Sequence, residues 1–135
     1  MKKKIVLTSV ISILVIIVLL ILYIYKTPSL VSRKDDIIKV SVSSLPEGFS
    51  YSFDGESADA IVEYLSNIEL ISKFKKNPDR YLGIVWVISL EYNNSDISTV
   101  YQSGNRFIRA NSGPWYKMNF DEANQFESLL DKLDS

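Results

Sequence analysis

The chain has 135 residues, 15 of them basic and 16 acidic, and it contains neither histidine nor cysteine. Without histidine it lacks the commonest general base and metal ligand, and without cysteine it has no thiol nucleophile, no thiolate zinc site and no disulfide. All 16 acidic side chains lie beyond residue 26 with 11 of the basic ones, the other four being Lys2, Lys3, Lys4 and Lys26. That formal charge of −5 argues against nucleic acid as a partner, since phosphate binding draws on clustered Lys and Arg.

From Ile5 to Tyr25 the chain reads IVLTSVISILVIIVLLILYIY, without charge or proline and bounded by lysines on both sides. At about 1.5 Å per residue, a helix over this stretch spans roughly 30 Å, the thickness of a bilayer's hydrocarbon core. The expectation is a single transmembrane helix, with Tyr23 and Tyr25 at the headgroup level. The alternative is a cleaved secretory signal, whose apolar region is usually about 7 to 15 residues and ends in a small-residue site. Here the run is longer, and Leu30-Val31-Ser32 is a poor match to such a site. Lys2, Lys3 and Lys4 are packed against the span, whereas the later basic residues are spread out and interleaved with Asp35 and Asp36, so the N-terminus is expected inside. The expected organisation is a cytoplasmic tail over 1–4, a span over 5–25, a polar linker over 26–36 and an extracytoplasmic domain over 37–135.

The first stretch of that domain, IIKVSVS, alternates: Ile38, Val40 and Val42 point one way and Lys39, Ser41 and Ser43 the other, as in a half-buried strand. Pro46 and Gly48 turn the chain into FSYSF, with Phe49, Tyr51 and Phe53 on one face. The period then changes to about 3.6, and Ala58, Ile61, Val62, Leu65 and Ile68 form the apolar stripe of a helix over 56–68, with Asp54 or Ser57 as its cap. KFKKNPDR, residues 73–80, is expected as a solvated charged turn around Asn77-Pro78-Asp79.

GIVWVISLEY follows, with Trp86, Ile88, Leu90 and Tyr92 on one face. Polar turns then separate ISTVYQ, RFIRAN and WYKMNF, an antiparallel meander in which Pro114 makes the last strand start late or lie at an edge. Ala123, Phe126, Leu129, Leu130 and Leu133 stripe a closing helix, capped by Asp121 with Glu122 in its first turn. The fold class expected is α+β: strand, strand, helix, four strands and helix, with both helices on one mainly antiparallel sheet.

The first hairpin, the Ile61/Leu65 helix, ISLEY leading into a polar turn, SGN at 103–105, WYK at 115–117 and the closing leucine helix together resemble a type of small extracytoplasmic domain. Such domains occur in Gram-positive bacteria, behind one N-terminal span. Similar domains also look to be attached to membrane sensor proteins, which implies regulation or binding rather than catalysis. The resemblance carries no catalytic residue over to this chain.

Two acid pairs, Asp54 with Glu56 and Glu91 with Asp96, lie in or beside turns, where carboxylates are ordinarily solvated, so no catalytic residue is assigned. DGES at 54–57 lacks the remaining ligands of a calcium loop, and neither a metal nor a cofactor is expected. Tyr101, Asn105, Arg106, Arg109 and Trp115 remain as the expected partner-binding surface, with Tyr116 in the core. The function expected is a membrane-anchored binding or regulatory module with an unknown protein partner. An inhibitor or immunity-type protein and an enzyme of the cell wall stand as alternatives.

Overall fold

The computed structural model describes residues 2–24, 29–46, 48–74, 83–104 and 106–135. Helix α1, Lys2–Ile24, carries no acid and buries no residue, and it is long and apolar enough to cross a membrane. Beyond it the chain forms strands β1 (Ile37–Leu45), β2 (Ser50–Asp54), β3 (Leu70–Phe74), β4 (Val85–Tyr92), β5 (Ile97–Ser103), β6 (Phe107–Ala110) and β7 (Trp115–Met118). Helix α2 (Gly55–Asn67) follows β2, and α3 (Phe120–Asp134) closes the chain. The class is α+β, with one sheet in the order β2-β1-β4-β5-β6-β7-β3 and every pairing antiparallel.

The alternation read from the sequence decides which side chains meet the helices. Val40 and Val42 of β1, Trp86, Ile88, Leu90 and Tyr92 of β4, Val100 of β5 and Ile108 of β6 are buried on the inner face. Against them α2 buries Ala58, Ile61, Val62 and Leu65, and α3 buries Ala123, Phe126 and Leu130. Phe126 stacks on Tyr64 at 5.1 Å and meets the edge of Trp86 at 5.7 Å, which ties α3 to α2 and to the sheet. Each such aliphatic or aromatic side chain removed from water contributes about 1.5–3 kcal/mol, and with no disulfide this burial holds the domain together.

Ser44, Gln102 and Ser103 are the buried polar side chains among the described residues, and Gln102 lies deepest. Gln102 is fully buried on β5; its Oε1 accepts from the Tyr64 hydroxyl at 3.1 Å and its Nε2 donates to the Ala123 carbonyl at 3.4 Å. Burial pushes the pKa of that Tyr64 hydroxyl up, so it remains a donor at any ordinary pH.

Several expectations need correction. The sheet has seven strands rather than six, because Leu70–Phe74 pairs with β7 at the far edge. Lys73 therefore lies in a strand, and residues 75–80 of the expected charged turn are outside the described residues. Pro114 directly precedes β7, which starts at Trp115 without delay and is interior, between β6 and β3. A register shift between Ile37 and Lys39 sends Ile37 towards the core and leaves Ile38 52% exposed, against the expected stripe. Gly55 has φ of +54°, a left-handed conformation suited to glycine, and the Asp54 before it makes no side-chain cap bond. The cap of α3 is Asn119, whose side chain accepts from the Asp121 amide at 2.9 Å. Asp121 and Glu122 instead occupy the first turn, where negative charge suits the helix dipole.

Part of the stretch expected as linker, residues 30–34, packs on the domain. Leu30 and Val31 are buried in the core, and the Ser32 carbonyl accepts from the Tyr92 hydroxyl at 2.9 Å. Arg33 lies 4.6 Å over the Tyr92 ring and pairs with Asp96 at 3.2 Å, while Lys34 pairs with Glu63 on α2. Between Ile24 and Leu30 the chain reaches at most about 20 Å, at 3.3–3.6 Å per residue, so the core begins close to the end of α1.

Candidate functional site: an aromatic and cationic sheet face

Side chains alternate along each strand, so the face opposite the helices is as fully specified as the core. On β1 and β2 that face is short and polar, with Ser41 and Ser43 opposite Ser52 and Ser50. Across β5, β6, β7 and β3 it changes character. Tyr101 stands directly opposite Arg109, Phe107 opposite Lys117, and Trp115 opposite Phe74. Phe107 and Trp115 are only 6% and 9% exposed, although neither belongs to the core beneath the helices.

The centre of this face is Arg109. Its guanidinium carbon lies 4.8 Å from the centroid of Tyr101 and 4.7 Å from that of Trp115. The two rings rise from the strands on either side of β6, so they clamp the flat group between them. Contacts of this kind contribute about 0.5–2 kcal/mol each, more where water is excluded. Beside the clamp, Phe74 packs on Phe107 at 4.4 Å and Lys117 Nζ stands 5.7 Å from the Phe74 centroid.

Electrostatically the clamp is incomplete. Arg109 Nε is buried and has no hydrogen-bond acceptor. A buried donor left unpaired costs about 1–3 kcal/mol, comparable to what the two ring contacts together contribute. The ion pairs among the described residues are Arg33 with Asp96 and Lys34 with Glu63, both elsewhere on the domain. None of the four strands that build this face carries an Asp or Glu. A positively charged patch therefore stands on a domain whose sequence is net acidic.

Of the residues expected at a binding surface, the structure brings Tyr101, Arg109 and Trp115 together. Asn105 lies outside the described residues. Arg106 is exposed in the turn before β6, where its carbonyl accepts from the Met118 amide at 2.8 Å. Trp115 and Tyr116 leave β7 on opposite faces, as expected, and Tyr116 packs partly buried against the core. The correction concerns Trp115, which is buried on its own face because Arg109 and the flanking aromatics close around it. Phe74, Phe107 and Lys117 were not expected here. Phe107 and Lys117 each stand two residues from Arg109 or Trp115 and share their period-two face, a signal legible in the sequence; Phe74 comes from the strand that was missed.

The nominal acid pairs do not form comparable sites. Asp54 and Glu56 are both exposed, and Asp96 is engaged by Asn94 and Arg33, whose hydrogen bonds hold its carboxyl below the usual range. Among the described residues, a groove of about 470 Å³ lies between α3 and α2, walled by Tyr64, Ile68 and Leu129, and another of about 190 Å³ lies between Phe49, Trp86, Glu127 and Asp131. No protein family, curated protein or solved structure matches the chain.

Proposed function

We propose that the chain is a single-span membrane protein whose acidic domain, held outside the cytoplasm, binds a protein partner through the Tyr101–Arg109–Trp115 face. The observation that supports this most is the Arg109 guanidinium, close to two rings yet with a buried Nε that has no acceptor among the described residues. Fixing a long cationic side chain before a partner arrives lowers the ordering entropy that binding must overcome. Arg, Tyr and Trp are also the residue types that anchor protein interfaces, whereas an acid–base pair or a nucleophile with its base is what catalysis would need. The span and the short reach from Ile24 to Leu30 keep such a module close to the bilayer surface, where it meets partners that are themselves membrane-bound or secreted.

Capture from solubilised membranes tests this. Full-length protein should retain a stoichiometric partner that Arg109→Ala releases, while a reporter active only outside the cytoplasm should work when fused after Ser135. Retention of the partner by Arg109→Ala, or activity of an inside-only reporter alone, contradicts the proposal.

A further inference from the structure

We infer that the ligand of this face is a carboxylate: the exposed edge of the clamped Arg109 guanidinium receives a Glu or Asp side chain of the partner protein. This rests on the proposal that the face is a binding surface, and adds the chemistry it selects.

Three observations favour a carboxylate. A guanidinium has five donors and no acceptor, and the Arg109 group is unmatched by any ion pair among the described residues. With Nε buried, the terminal nitrogens form the edge a ligand can reach. Next, the ring centroids of Tyr101 and Trp115 stand 4.8 and 4.7 Å from the guanidinium carbon, so the group is held in place before a ligand arrives. A planar carboxylate matches the guanidinium fork and accepts two parallel bonds. A phosphate can offer the same two-pronged pair, so the polyphosphate arm of the test separates the two ligands. Lastly, Lys117 adds a second cation on the same face, and the four strands contribute no acid that competes for either.

The composition of the patch decides between sources of carboxylate. Arg with Tyr, Trp and Phe, depleted of Glu and Asp, is the make-up of the buried centre of a protein interface. Such a centre suits an acidic side chain flanked by apolar neighbours.

The test uses full-length protein in nanodiscs of neutral lipid, titrated with a glutamate decamer, a glutamine-containing neutral decamer and polyphosphate. The resonance of the Arg109 Nε–H group and the emission of Trp115 report the clamp itself. The glutamate decamer should shift both signals. Arg109→Lys, which keeps the charge but loses the planar fork, should weaken binding about tenfold or more. Lys39→Gln, a charge change on β1, should leave it unaltered. If Arg109→Lys fails to fold, the Nε–H shift in the unmodified protein decides alone. Equal binding by Arg109→Lys and the unmodified protein overturns the inference, as does tighter binding of polyphosphate. Failure of the glutamate decamer while a captured partner still depends on Arg109 overturns the carboxylate and leaves the binding surface standing. Failure of both removes the surface as well.

Discussion

Gln102 offers the sharpest test of how this core is organised, because a fully buried amide must be matched or it destabilises. Gln102→Leu keeps the volume roughly constant and removes the acceptor of the Tyr64 hydroxyl. The second bond is less consequential: at 3.4 Å it is long, and the Ala123 carbonyl lies inside α3, where it has a helical partner. The main cost is thus the orphaned hydroxyl, about 1–3 kcal/mol. Tyr64→Phe makes the reciprocal error, orphaning the Gln102 oxygen, at a similar cost of about 1–3 kcal/mol. In the double variant neither group remains, so its cost should fall short of the sum by about 1 kcal/mol or more. Fragment 29–135 suits the assay, since α1 buries nothing. With slopes of about 1–3 kcal/mol per molar urea, each single change should move the midpoint by roughly 0.5–1.5 M. Additivity within about 0.3–0.5 kcal/mol would refute the pairing of Tyr64 with Gln102.

Phe126→Ala should cost about 3–5 kcal/mol, because the ring is fully buried between Tyr64 and Trp86; a urea titration of the same fragment measures it. Trp115→Ala should cost less, about 1–3 kcal/mol, since the lost cation–π contact is offset when water reaches Arg109 Nε. A larger loss at Trp115 than at Phe126 would make the second face a core rather than a surface. The segment from Leu30 to Asp36 should loosen in acid. Hydrogen bonds from Lys34 and then Asn67 hold the Glu63 carboxyl low, as those from Asn94 and then Arg33 hold Asp96. Depressed carboxyls contribute stability that is present above their unfolded pKa and lost as pH falls through the lower, folded value. Tyr92 ring resonances, which report the Arg33 stack, should therefore shift as the pH falls below the ordinary carboxylate range but stay constant around neutrality; constancy throughout would show that the pairs do not hold the segment.

Much of the fold was legible because period and burial agree. The stripe Ala58, Ile61, Val62 and Leu65 gave α2 to within a residue at each end, and the alternation through Trp86–Tyr92 gave β4 its inner face. Strand β3 escaped because LISKF, an edge strand with only its ends partly buried, shows no alternation of apolar and polar residues. Leu30 and Val31 sit between Ser29 and Ser32 and look like linker. They join the core cluster, and the adjoining Ser32 carbonyl is held by the distant Tyr92, a contact no local pattern announces. The same holds for the site. Tyr101, Arg109 and Trp115 were legible as candidates by residue type, but the clamp is a product of strand order, which sets β6 between β5 and β7. Trp115 looked exposed because a strand face away from the helices is ordinarily solvated; Arg109 and its neighbours cover it instead.

Whether this face meets a partner is most directly measured by photo-cross-linking in the membranes of cells that make the protein. A benzophenone side chain at Thr99, on the Tyr101 face of β5, should yield one discrete adduct that disappears in the Arg109→Ala background. The same group at Ser41, on the polar half of the sheet, should yield none. Identical adducts from both positions, or an adduct at Thr99 that persists without Arg109, would contradict a binding surface centred on the clamp.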